Sequence, residues 1–148
     1  MAKRSFTLVE LLAVMSIIAL LTGLIVGVSS FVSRRAGEAK TLSLLKQMEI
    51  ALDAYREDRG FYPPTGGAIP FYVDSTQFGG FRSTATGRPY LEGYDNGYFQ
   101  DAWKRPFMYR CDGIAPQKNL QAYDLWSLGR DGNDGTDDDI TNWKPSGN

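Results

Sequence analysis

Histidine is absent from this chain and cysteine occurs once, at Cys111. The first absence removes the commonest general base and the commonest metal ligand. The second excludes an internal disulfide framework. There is no Gly-x-x-x-x-Gly-Lys segment to cradle a nucleotide phosphate. With no evident nucleophile–base pair either, the sequence offers no catalytic constellation, and it reads as a non-enzyme. Net charge is −1, so neither nucleic acid nor an anionic membrane surface is an evident partner. Charge is also missing from one long stretch: between Arg4 and Arg34 the sole ionisable side chain is Glu10.

What fills that stretch is an apolar run over residues 6–32. A bilayer-spanning helix needs about 20 such residues. A carboxylate inside it costs about 2.5–3.5 kcal/mol on insertion scales, so Glu10 reads as a functional group awaiting a partner charge. A cleaved secretory signal has a hydrophobic core of only about 7–15 residues followed by small residues, and no Ala-x-Ala follows this run. Basic residues flank both ends (Lys3 and Arg4, then Arg34, Arg35 and Lys40), so charge alone leaves the orientation open. Gly23 and Gly27 form a Gly-x-x-x-Gly pair suited to close helix approach, or simply reflect the frequency of glycine in membrane helices.

The helical pattern continues past the run. Leu42, Leu45, Met48, Leu52 and Tyr55 recur at spacings of three and four, with Ala51 on the same stripe. Gly60 is a helix stop, and Pro63 and Pro64 forbid continuation. The pattern predicts one helix over 6–59, apolar all round over 6–32 and amphipathic over 33–59. Roughly 90 residues remain after it, enough for one small core.

Residues 61–101 are rich in glycine and aromatics without clear periodicity, and read as loop with short ordered pieces. Phe71, Tyr72, Tyr90, Tyr94, Tyr98 and Phe99 either fill a core short of aliphatic residues or form a ligand platform. Two short strands are predicted, over 106–111 and 123–128, pairing antiparallel. The apolar side of the helix stripe is available to cover them. The fold class expected is α+β, a long N-terminal helix packed on a small antiparallel sheet.

After the second strand the chain turns acidic. Asp131, Asp134, Asp137, Asp138 and Asp139 place five carboxylates in nine positions. Calcium takes six to eight oxygen ligands, and Asp-x-Asn-x-Gly spacing, here Asp131, Asn133 and Gly135, suits its loops. An EF-hand is excluded, because position 12 counted from Asp131 is Asn142 and a strand precedes the loop. A solvated acidic loop is the alternative.

Lys3 and Arg4, then Phe6, Thr7, Leu8, Val9, Glu10, Leu11 and Leu12, resemble the start of a type IV pilin-like precursor. Ala51, Leu52, Asp53, Ala54 and Tyr55, followed by Gly60, Tyr62 and Pro63, resemble the helix end of the G-type major pseudopilins of type II secretion. Asp101, Trp103 and Pro106 are similar to that family's Asp-Pro-Trp-Gly-x-Pro segment, and the stretches 123–129 and 131–143 to its C-terminal block. The stretch 65–100 shows no such likeness.

The resemblance implies a pilin-like fold with a calcium-binding C-terminal loop. It implies a leader over 1–5, a membrane and filament-core helix over 6–32, an amphipathic half over 33–59 and a globular head over 60–148. Prepilin peptidase would cut between Ser5 and Phe6, where the family has glycine in place of Ser5, and Phe6 would be methylated. Its amine would then pair with Glu10 of a neighbouring subunit. The calcium ligands implied are the Leu128 carbonyl and the carboxylates of Asp131, Asp137 and Asp139, with Asp138 standing where the family usually has an uncharged residue. The implied location is the bacterial inner membrane, single-pass, with a cytoplasmic N-terminus and periplasmic head. The implied partners are copies of itself in a helical polymer, minor pseudopilins, the inner-membrane assembly platform with its ATPase, and prepilin peptidase. The implied task is helping folded proteins across the outer membrane. A major or minor type IV pilin, and a membrane-tethered extracellular binding module, are the other readings. Cys111 is then a buried thiol or an intermolecular crosslinking site.

Overall fold

The computed structural model describes residues 7–73, 81–93 and 97–143, with the side chains of residues 25–31 outside that description. One helix, α1, runs over Leu8–Arg59, and four short strands follow: β1 (Ile69–Pro70), β2 (Met108–Arg110), β3 (Asp124–Ser127) and β4 (Ile140–Thr141). The chain divides into two compact units, Met1–Ala36 and Gly37–Asn148.

In the first unit every described side chain of residues 8–24 is exposed. Two hydroxyls interrupt the apolar surface, and both fold back on the helix: Ser16 Oγ donates to the Leu12 carbonyl at 2.8 Å and Thr22 Oγ1 to the Ile18 carbonyl at 2.7 Å. Such bonds satisfy a polar side chain without water. A Cβ added at Gly23 would meet open space. Gly27 lies where side chains are not described. Among the described residues no helix is long and apolar enough to cross a membrane.

In the second unit the stripe on α1 does what its spacing predicts. Leu45, Met48, Ala51, Leu52 and Tyr55 are buried. Each large apolar side chain among them contributes about 1.5–3 kcal/mol by leaving water. The stripe begins one residue earlier than its pattern suggests: Leu42 is half-buried, whereas Thr41 is fully buried. Thr41 is accommodated because its hydroxyl accepts the Ala102 N–H at 3.1 Å. The helix ends at Gly60, whose φ of +84° is cheap only for glycine and whose N–H reaches the Arg56 carbonyl at 2.7 Å.

The sheet is antiparallel throughout, in the order β1-β2-β3-β4. Both predicted strands are present, trimmed at their ends, and Tyr109 faces Leu125 across them. The flanking strands β1 and β4 carry no sequence signal of their own, being two residues each. Phe107, Tyr109 and Leu125 meet the α1 stripe in one core together with Phe71, Val73, Phe81, Phe99 and Tyr123. All four residues of β3 are buried, because the strand is covered on both faces. Opposite Leu125, Trp126 packs edge-on against Trp143, with ring centroids 5.5 Å apart.

Of the aromatics of 61–101, those in the core are the ones the structure accounts for. Phe71 and Phe99 are core residues and Tyr90 packs edge-on against Tyr55 and Phe81 of the same core, whereas Tyr72 and Tyr98 form an edge-on pair outside it. Tyr94 lies outside the described residues. Part of this stretch is pinned to the end of α1. The Asp58 carboxylate accepts the Thr84 N–H at 2.7 Å, the Thr84 hydroxyl at 2.8 Å and the Tyr90 hydroxyl. Cys111 is half-buried, and its thiol donates to the Ala122 carbonyl at 3.2 Å. Burial pushes that thiol above its usual range.

Candidate functional site

Two places carry the predicted site residues. At the start of α1, Thr7 and Glu10 cap the helix reciprocally. The Glu10 N–H donates to Thr7 Oγ1, and Glu10 Oε2 accepts both the Thr7 N–H and the Thr7 hydroxyl, each at 3.3 Å. This is a capping box, which satisfies N–H groups that a helix start leaves unpaired. The Thr-x-x-Glu spacing of Thr7 and Glu10 is itself a local signature of a helix start. Glu10 is exposed, so its carboxylate is available to a second molecule while serving the cap. Ser5 and Phe6 lie outside the described residues.

The second place is the acidic loop between β3 and β4. Its entrance is a turn in which the Leu128 carbonyl accepts the Gly132 N–H at 3.1 Å. Asp131 Oδ1 accepts the Asn133 N–H at 2.8 Å, and Asp139 Oδ2 accepts the Gly135 N–H at 2.8 Å. Asp137 is exposed. Asp138 points inward: one oxygen accepts the Arg130 N–H at 2.7 Å and the Asp131 N–H at 3.0 Å, the other the Thr136 hydroxyl at 2.6 Å. The Thr136 hydroxyl first, and the two amides after it, hold Asp138 below the usual carboxylate range. Asp134 accepts the Trp126 indole N–H at 3.0 Å, fastening the loop to the outer face of β3.

The donor set therefore suits calcium in kind, since the Leu128 carbonyl and the carboxylates of Asp131, Asp137 and Asp139 are all hard oxygens. Among the described residues, however, no group of three or more acidic, cysteine or histidine side chains is gathered as a metal would require. The carboxylates of Asp131, Asp138 and Asp139 bind the loop's own amides.

One participant escaped the sequence reading. Arg105 comes from the turn before β2, and its guanidinium donates to the Gly129 carbonyl. A Cβ on Gly132 would overlap that guanidinium. The turn is shaped by the buried Asp101, whose Oδ1 accepts the Trp103 N–H at 2.8 Å and the Arg105 N–H at 2.9 Å. No local motif announces that a residue 24 positions upstream of Gly129 reaches the loop.

An apolar helix opening on a capped glutamate, and a small antiparallel head with an acidic C-terminal loop, together describe a pilin-like subunit. The chain belongs to the type II secretion system protein G family, whose profile matches residues 32–143. Residues 1–26 match the prokaryotic N-terminal methylation motif. The type II secretion system core protein G of Escherichia coli (strain K12) is 33% identical over 141 residues, covering 95% of this chain and 91% of that protein. The core protein G of Aeromonas hydrophila is 32% identical, covering 95% and 92%. A crystal structure of the major pseudopilin from the type 2 secretion system of enterohaemorrhagic Escherichia coli is 29% identical, with a TM-score of 0.46, covering 74% of this chain and 88% of that one.

Proposed function

We propose that this chain is a structural, non-catalytic subunit of a type II secretion pseudopilus, polymerising through its N-terminal helix to help move folded proteins across the outer membrane. The observation that carries this reading is the helix surface over 8–24, apolar and exposed on every side within one chain. Such a surface needs apolar surroundings, either lipid or the same helix from neighbouring copies. Before assembly the subunit sits in the bacterial inner membrane with residues 1–5 cytoplasmic and the head periplasmic. Prepilin peptidase cuts between Ser5 and Phe6, and Phe6 is methylated. The new amine pairs with Glu10 of a neighbour, and an unpaired charge in that dry setting is penalised, which selects the register of the incoming helix. Minor pseudopilins, an inner-membrane platform and its ATPase complete the machine.

Calcium is proposed as a structural ion of the acidic loop, held by the Leu128 carbonyl with Asp131, Asp137 and Asp139. When bound it would offset the repulsion among the five carboxylates. A ligand that binds only the folded state raises the melting temperature by mass action. An EDTA-treated sample that melts at the same temperature as a calcium-loaded one removes calcium from this reading.

Deletion of the gene tests the function itself. Secretion is lost while motility is kept; loss of motility with intact secretion would instead make the chain a pilin subunit. Mass spectrometry of the mature N-terminus tests the processing step, with methylated Phe6 as the expected first residue.

A further inference from the structure

Gly129 lies between two side chains, one from upstream in the chain and one from downstream. Its carbonyl accepts the Arg105 guanidinium. Its α-carbon faces Asp138, so that any Cβ there would overlap the Asp138 backbone and carboxyl. Its φ of +61° is a second reason for glycine at this position. Three residues on, Gly132, at φ +79°, leaves the space that the Arg105 guanidinium fills. Behind Arg105 lie a buried acid and an aromatic ring: Nε is 3.9 Å from Asp101 Oδ2, and the guanidinium is 6.0 Å from the Trp103 ring centroid. Asp138 is fixed by three donors, the Arg130 and Asp131 amides and the Thr136 hydroxyl.

We propose that Arg105 and Asp138 form an internal clasp on the acidic loop, one supplying a cation from outside the loop and the other an anion from within it, so that the loop is folded before any divalent ion arrives. Asp138 is then a positioning residue for the loop backbone and not an ion ligand. Arg105 places one fixed positive charge against a segment with five carboxylates, which a neutral residue there would not. Calcium adds to an existing loop instead of creating it; that part rests on the calcium reading above.

Hydrogen exchange on the full-length chain in detergent micelles tests this, following the peptide 129–139 in EGTA and in calcium. In EGTA the wild-type loop stays protected. Arg105→Gln and Asp138→Asn each lose about tenfold in protection there, the effect of one lost hydrogen bond on local opening, while the β2 and β3 amides keep theirs. Calcium restores protection in Arg105→Gln. Should Arg105→Gln unfold globally, Arg105→Lys, which keeps the charge but not the fork, shows a smaller loss confined to the loop. A wild-type loop that exchanges freely in EGTA overturns the clasp, as does an Arg105→Gln loop protected like wild type. If calcium alters none of the three proteins, the calcium reading fails, and the EGTA contrast still decides the clasp.

Discussion

The Ser127 hydroxyl donates to Asp101 Oδ2 at 2.8 Å, joining the centre of the sheet to the turn that precedes β2. Both residues are buried. The same carboxylate already holds the Trp103 and Arg105 amides. Asp101 thus gathers three donors from two elements, and Thr41 of α1 touches the same turn through Ala102. Turn and central strand meet at one carboxylate, and the helix joins the same turn one residue further on.

Removing that carboxylate leaves buried donors without an acceptor, which costs about 1–3 kcal/mol for each. Asp101→Ala is expected to lower the stability of the head by about 3 kcal/mol or more, and Ser127→Ala by about 1 kcal/mol. In a double-mutant cycle read by urea denaturation, the two changes are sub-additive, because they remove the same bond. Strict additivity would mean that the bond contributes nothing.

Asp58 sets the acid limit of the loop that it pins. The Tyr90 hydroxyl, then the Thr84 amide and hydroxyl, lower its carboxyl from 3.8 to about 2. A carboxyl lowered by folding contributes stability fully above its ordinary value and loses it as pH falls through the folded value. Wild type should therefore lose stability between pH 3.8 and about 2, and Asp58→Asn should flatten that part of the profile. Thermal melts across this range, compared with the variant, check it; parallel profiles would exclude Asp58 as the cause.

Lys104 occupies the left-handed region, at φ +63°, two residues before Pro106. In the resembling Asp-Pro-Trp-Gly-x-Pro pattern this position is glycine. A non-glycine residue there is strained by about 1–3 kcal/mol, part of which glycine returns through the flexibility of its unfolded chain. Lys104→Gly should raise stability by about 0.5–1 kcal/mol without altering assembly. A melting temperature that falls would show that the Lys104 stem packs more favourably than the backbone suggests.

The cap made by Glu10 and the intersubunit pairing proposed for it separate by substitution. Glutamine can still serve a capping box but carries no charge. Thr7→Ala removes the cap and keeps the charge, at a cost of about 0.5–2 kcal/mol to the helix start. Glu10→Gln and Glu10→Val should both insert in the membrane and fail to extend filaments, while Thr7→Ala assembles. Filaments formed by Glu10→Gln but not by Thr7→Ala would assign Glu10 to the cap alone.

The parts of this fold that sequence revealed are those with a period. Leu45, Met48, Leu52 and Tyr55 repeat often enough to declare a buried helix face, and β2 and β3 are bounded by turn residues. β1 and β4 are too short to show alternation; the chain reads as strand there because β2 and β3 lie alongside. Asp58, Arg105 and Asp138 act over separations of 26, 24 and 8 positions, through side chains whose types are common on surfaces. No pattern distinguishes such a residue from a solvated one until the backbone brings its partner near. Thr7 is the opposite case, a local signal three residues from Glu10 that composition alone obscured.

The strands at the margins of the sheet are its shortest, two residues each, and one of them ends in Pro70, which has no N–H to offer. Among the described residues, a third party seeking to extend the sheet would find almost no ladder to read at β1 or β4. Copies of this head brought to high local density would therefore gain little by zipping together along β1 or β4.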